Sequence, residues 1–186
     1  ILKKVINDTT VDDTVSLYKA IKICNPGGLG KIDKYDLNDD NSINEIKNDK
    51  ITLKIIFELS KNYDMISREY STNFSVILKE GLPYFINTYE TYKDINIATV
   101  NTFLKVLSTH PDTLIIRKSG LSNAKNVSEA ANRVLKLGGI TTKNGRKSIM
   151  KLDEKLHFKN GLMNPGTTAD ILAGILFCAL LFGLRF

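Results

Sequence analysis

A chain of 186 residues, 42% apolar and 25% charged, has the makeup of an ordinary globular protein and is long enough for one full hydrophobic core. Its 26 lysines and arginines outnumber 20 acids to give a net charge of +6, which favours anionic small molecules such as nucleotides; the cations are scattered rather than massed, which argues against a nucleic-acid surface. Cys24 and Cys178 lie in apolar helical surroundings and read as buried thiols rather than a disulfide, fitting a reducing cytoplasm.

The chain begins at Ile1 rather than Met and runs directly into a helix-like pattern, the expectation being a fragment or a processed chain. The first clear helix opens at Thr9-Thr10-Val11-Asp12-Asp13, where either threonine can cap and the two acids approximate a capping box. Val11, Val15, Tyr18 and Ile21 give it an apolar face, and Asn25-Pro26 stops it. Asp12 and Asp13 read either as partners of the helix dipole or as acids facing a site, holding a magnesium ion through water.

Asn25-Pro26-Gly27-Gly28-Leu29-Gly30-Lys31 is a glycine-rich turn. Asn25 and Ile32 break the Walker pattern, and Asp33 stands where a dinucleotide fingerprint needs its third glycine. What remains is a pliable backbone with N–H groups and a lysine, able to cradle phosphate or simply to connect. From Asp33 to Lys50 the chain reads as a solvated loop. Its Asp36–Lys47 stretch imitates an EF-hand loop but has Asn41 in place of the glycine and Lys47 in place of the bidentate glutamate.

A run of helices follows. Thr52 to Ser60 is short and apolar, and Asp64 caps a longer helix carrying Ile66, Tyr70, Phe74, Ile77 and Leu78, ended by Gly81. Arg68 and Glu69 read as a surface pair on its flank. Pro83 opens the next helix, with Phe85, Ile86 and Tyr89. Another carries Val100, Phe103, Leu104 and Leu107 and closes at His110-Pro111, leaving His110 a loop histidine without a catalytic partner. Asp112 and Thr113 cap a short apolar turn that Arg117, Lys118 and Gly120 end. Asn123 to Leu137 is helical, with Gly138-Gly139 as its stop, and a basic segment, Thr142 to Lys159, leads to the last turn.

That turn, Asn164-Pro165-Gly166-Thr167-Thr168-Ala169-Asp170, precedes the most apolar run in the chain, Ile171 to Leu184. The run is shorter than the roughly 20 residues that span a bilayer, so a core helix buried on most sides is expected and no membrane partner. A polar turn at the mouth of such a helix offers backbone N–H groups and the positive end of the dipole to a phosphate or carboxylate. The plainer reading makes Thr167 or Thr168 the N-cap and Asp170 a first-turn acid. Without alternating β-branched runs, the expected fold is all-α: one globular domain over 1–186, a bundle of about eight or nine helices around a buried C-terminal helix.

Taken together and in order, the turns Asn25 to Gly30, Asp112-Thr113-Leu114-Ile115-Ile116-Arg117-Lys118 and Asn164 to Asp170 resemble the triphosphoribosyl-dephospho-CoA synthase family. The Thr9 to Thr14 stretch resembles the helix start of its archaeal-type branch. The resemblance implies an all-α transferase that moves the triphosphoribosyl group of ATP to 3'-dephospho-CoA and releases adenine, making a prosthetic-group precursor. It also implies that this chain is the C-terminal part of such a protein, because the family's earlier Pro-Lys-Pro-Gly turn and Asn/Gly-containing nucleotide stretch are not in it. A second chain could supply those motifs.

For that reaction, Asp112 and Asp170 are the candidates to stabilise an oxocarbenium-like centre or activate the acceptor hydroxyl. Asn25, Gly27, Gly28, Gly30, Thr113, Arg117, Lys118, Asn164, Gly166, Thr167 and Thr168 are candidates to hold substrate and phosphates. Asp12 and Asp13 are the candidates for Mg²⁺. The alternatives are a non-catalytic helical protein that binds nucleotide or CoA, and a basic nucleic-acid-binding domain.

Overall fold

The computed structural model describes residues 2–25, 27, 29–157 and 161–185. Among them the chain forms eleven α-helices, a π-helix and a 3₁₀ turn, with no strand. The all-α expectation holds, with more helices than the eight or nine expected. The surplus lies in helices of six or seven residues, too short to show a repeating apolar face in sequence. The chain divides into two compact units, residues 1–73 and 74–186.

Unit 1 holds α1 (Leu2–Asn7), α2 (Val11–Cys24), α3 (Ser42–Asn48), α4 (Leu53–Ser60) and α5 (Met65–Ser71). The capping box at the head of α2 is complete: Thr10 Oγ accepts the Asp13 N–H at 3.3 Å, and the Asp13 carboxylate accepts the Thr10 N–H at 2.7 Å. Val15 and Tyr18 turn inward to pack with Tyr35, Ile46 and Ile51. The Tyr18 hydroxyl donates to the Tyr35 carbonyl at 2.8 Å, and burial pushes its phenol well above the usual tyrosine range.

The segment expected to be a solvated loop therefore contributes to a core. Asp36 is buried, and its carboxylate accepts the N–H groups of Asn38 at 2.8 Å and Ile32 at 3.1 Å. Those backbone donors, Asn38 first, hold the Asp36 carboxyl below the ordinary carboxylate range. Helix α3 hid in this region because its seven residues bring only two isoleucines to the core, buried Ile46 and half-buried Ile43, amid polar neighbours. Cys24 is exposed, contrary to the buried-thiol reading; its neighbour Ile23 is 84% exposed too, so apolar neighbours at a helix end do not imply burial.

Two further corrections fall near the junction of the units. Asp64 does cap α5, accepting the Ser67 N–H at 2.9 Å, but the helix ends at Ser71, and Asn73 and Phe74 take left-handed φ values of 57° and 59°. The single helix read from Ile66 through Ile77 is thus two helices separated by a tight turn. Glu69 is buried, at 2% exposure, beside exposed Arg68. Adjacent residues on a helix point about 100° apart, so the two do not share a flank.

Unit 2 opens with the π-helix Val76–Gly81, which runs straight into α6 (Leu82–Tyr92). Gly81 does not end the helix; its φ is −71°. It is glycine for space: a Cβ there would lie 2.1 Å from Ile175 Cδ1 on α11, and a Cβ at Gly174 of α11 would lie 2.6 Å from Ile77 Cδ1. Two glycines thus let the π-helix and α11 approach closely. The remaining elements are α7 (Ile95–Thr109), α8 (Thr113–Ser119), α9 (Leu121–Lys136), the 3₁₀ turn Gly139–Thr141, α10 (Lys143–His157) and α11 (Gly166–Leu181). Leu104, Leu107, Ile115, Val127, Val134 and Leu152 form the heart of the core.

Helix α11 buries one stripe, Thr167, Thr168, Ile171, Ile175 and Ala179, and leaves Phe177 65% exposed. It is not buried on most sides, and an almost uniformly apolar sequence carries no periodicity to say which face goes in. Among the described residues no helix is long and apolar enough to cross a membrane.

Candidate functional site

The second and third of the sequence turns meet in unit 2, at the heads of α8 and α11. Asp112 is the N-cap of α8: its Oδ1 accepts the N–H groups of Leu114 at 2.9 Å and Ile115 at 3.1 Å. Its Oδ2 accepts the Thr168 N–H at 2.7 Å and the Thr168 hydroxyl at 2.8 Å, in the first turn of α11. One carboxylate, 0% exposed, thus closes two helix N-termini.

A second tier of contacts flanks it. The Thr113 and Thr167 hydroxyls lie 3.1 Å apart, and Thr167 Oγ accepts the Leu114 N–H at 3.2 Å. Gly166 lies close against α8: a Cβ there would sit 2.7 Å from Leu114 Cδ2, and the leucine would have to shift to make room. Helix α11 starts at Gly166 after Pro165, so neither Thr167 nor Thr168 is its N-cap; both sit in the first turn and face inward.

This geometry answers the question raised by the polar turn. The positive end of α11 does hold an anion, and the anion is Asp112. The Gly166 N–H donates to the Asn164 carbonyl at 3.0 Å and the Ala169 N–H to the Pro165 carbonyl at 3.1 Å. With four hydrogen bonds, the Asp112 carboxylate has its acceptor capacity filled. It positions the two helices and presents no edge to a substrate. The outward part of the motif is different: Asn164 and Asp170 are exposed, as is Lys118 at the end of α8, with Arg117 half-buried.

His110, at the C-cap of α7 and two residues before Asp112, has a partner after all: its Nε2 lies 2.8 Å from Glu80 Oε2 on the π-helix. Thirty residues separate the pair, and nothing in the local sequence announces it. Buried Glu69 is likewise invisible to local pattern.

The glycine-rich turn lies in unit 1. Asn25 is the left-handed C-cap of α2, with φ 44°, its N–H donating to the Ile21 carbonyl at 3.0 Å. Gly27 and Gly30 are exposed, and Gly28 lies outside the described residues. Beside the turn is a pocket of about 280 Å³ lined by Ile21, Lys22, Asn25, Leu29, Leu37, Asn38 and Asp40. Lys22 is paired with Asp40 at 2.9 Å.

Asp12 and Asp13 are both exposed, and the Asp13 carboxylate is taken by Thr10, whose backbone N–H foremost holds it below the ordinary range. Among the described residues no three metal-ligating side chains gather.

A family model described as ATP:dephospho-CoA triphosphoribosyl transferase matches residues 1–185. The 2-(5''-triphosphoribosyl)-3'-dephosphocoenzyme-A synthase of Klebsiella pneumoniae is 28% identical over 105 residues, covering 56% of this chain and 34% of its own length. A probable synthase of the same name from Pseudomonas syringae pv. tomato is 28% identical over 122 residues, 64% of this chain and 41% of its own. The chain thus spans between a third and a half of these relatives. The crystal structure of an Archaeoglobus fulgidus protein assigned as a triphosphoribosyl-dephospho-CoA synthase superposes with a TM-score of 0.76 at 29% identity, over 98% of this chain and 72% of that one.

Proposed function

Because this chain belongs to the ATP:dephospho-CoA triphosphoribosyl transferase family, we propose that it carries part or all of an activity that moves the triphosphoribosyl group of ATP to 3'-dephospho-CoA with release of adenine. The observation that carries the reading is the family match, which runs through all three sequence turns. In the reaction an acceptor hydroxyl attacks C1 of the ribose, the C1–N9 bond breaks with its electron pair going to adenine, and adenine takes up a proton as the hydroxyl loses one. Charge develops at C1, so a carboxylate near it lowers the barrier.

Asp170 is the exposed carboxylate of the third turn and the better candidate for that role; Asp112 serves by holding α8 and α11 together. Arg117 and Lys118, in the last turn of α8, suit the triphosphate. Magnesium is best written as travelling with the triphosphate, as part of the substrate.

The test is adenine release. This chain, and a version extended to the length of its relatives, are incubated with ATP, Mg²⁺ and 3'-dephospho-CoA. Free adenine that depends on both substrates is the expected result. Absence of adenine from both proteins would overturn the transfer reading, and ATP binding without release would leave a binding protein in its place.

A further inference from the structure

We propose that the pocket between the end of α2 and the Leu29–Asp40 segment of unit 1 is a base-binding subsite, which takes an adenine ring and not a phosphate. The inference rests on the transfer reading for its ligand, because both ATP and 3'-dephospho-CoA carry adenine.

Charge comes first. Among the described residues that line the pocket the cation is Lys22, and it is held by acceptors of the protein: its Nζ lies 2.9 Å from Asp40 Oδ1 and 3.2 Å from the Asp39 carbonyl. The Asp36, Asp39 and Asp40 carboxylates belong to the same segment, so a triphosphate brought here would meet acids that Lys22 and Lys31 offset only in part.

The two backbone donors that flank the turn are engaged. A phosphate cradle turns successive N–H groups toward its ligand. Here the Asn25 N–H goes to the Ile21 carbonyl, and the Ile32 N–H, at the exit of the turn, goes to Asp36 Oδ2 at 3.1 Å. The acidic segment has itself supplied the anion.

What the pocket does offer suits a flat, uncharged heteroaromatic ring. Ile21, Leu29 and Leu37 give apolar walls. Asn38 donates both amide hydrogens within the protein, to the Gly30 carbonyl and to Asp36 Oδ1, each at 2.9 Å, which leaves its Oδ1 to accept from an exocyclic amino group. Asn25 presents a carboxamide with a donor and an acceptor side by side, the complement of adenine's amino group and ring nitrogen. A volume of about 280 Å³ sits at the lower end of the ~300–1,000 Å³ of small-molecule sites, enough for a base whose sugar and phosphates extend into solvent.

The test titrates the protein with adenosine, inorganic triphosphate, ATP and 3'-dephospho-CoA while following backbone amide resonances. Adenosine should move Leu29, Leu37 and Asn38, and inorganic triphosphate should leave them in place. Whichever of ATP and 3'-dephospho-CoA displaces adenosine from these residues identifies the source of the ring. Asn25→Gly removes the carboxamide yet keeps the left-handed backbone, and should weaken adenosine at least tenfold.

Triphosphate shifting these residues, or adenosine binding untouched by Asn25→Gly, would each overturn the proposal. Adenosine bound here without adenine release in the transfer assay sinks the transfer reading alone. Adenine release with no adenosine at these residues sinks this inference alone.

Discussion

Replacing Asp112 separates a positioning carboxylate from a catalytic one. Its Oδ1 caps α8 and its Oδ2 caps α11, so Asp112→Ala removes two N-caps, at about 0.5–2 kcal/mol each. It also strands the N–H groups of fully buried Ile115 and Thr168, and a buried unpaired donor costs about 1–3 kcal/mol. Allowing for overlap between these costs, Asp112→Ala should lose about 3–5 kcal/mol. Asp112→Asn keeps the shape and one accepting oxygen but turns an NH₂ group toward one set of donors, so a single cap fails and the loss should be about 1–3 kcal/mol.

At about 2–4 °C per kcal/mol for a chain of this size, Tm should fall by about 6–20 °C for the alanine variant and about 2–12 °C for the asparagine variant. Thermal unfolding by circular dichroism gives the ranking. Hydrogen exchange at the Ile115 and Thr168 amides tests the cause, because both should lose protection in Asp112→Ala. An Asp112→Asn protein as stable as the parent but unable to release adenine would refute the positioning argument and return this carboxylate to the chemistry.

Three other outcomes follow from the geometry. Asp170→Asn should lower adenine release about 10²–10⁴-fold with a smaller fall in Tm than Asp112→Ala, because the residue is exposed and outside the clasp; a drop in Tm as large as that of Asp112→Ala would mark it as structural instead. Gly145→Ala should cost about 1–3 kcal/mol or more in urea unfolding, since its Cβ would sit 1.8 Å from the Gly139 carbonyl oxygen and backbone cannot step aside as a side chain can. Acid should weaken unit 1 through Asp36. Its folded carboxyl is depressed, chiefly by the Asn38 N–H, so the stabilisation is present above the ordinary aspartate value of about 3.9 and is lost as pH falls through the folded value. Asp36→Asn should flatten that acid limb in urea midpoints, and an unchanged limb would count against the assignment.

What the sequence revealed follows from how local each feature is. The Thr10–Asp13 capping box, the Asn25 stop, the Asp64 and Asp112 caps and the inward face of α9 are written in residues three or four apart, where local rules operate. The break at Asn73-Phe74 opposes an apolar pattern that continues across it, and tertiary packing prevailed. The Glu80–His110 pair and the Asp112–Thr168 bonds join residues 30 and 56 positions apart and leave no local trace. In α11 the difficulty was reversed: so many apolar side chains left no polar face to orient it.

The Asn164–Asp170 motif thereby divides into two halves with different work. Its inward members, Gly166, Thr167 and Thr168, are consumed in fastening α11 to α8, by a missing Cβ, a hydroxyl pair and two bonds to Asp112. Its outward members, Asn164 and Asp170, are exposed. A carboxylate that neutralises a helix N-terminus from within also removes the most obvious phosphate site from the surface, which shifts the burden of binding a triphosphate to side-chain cations. Arg117 and Lys118 stand at the far end of α8, the helix Asp112 fixes, so loosening Asp112 should displace the cations as well as the helices. Asp112→Asn should then raise the KM for ATP before it lowers kcat, while Asp170→Asn does the reverse.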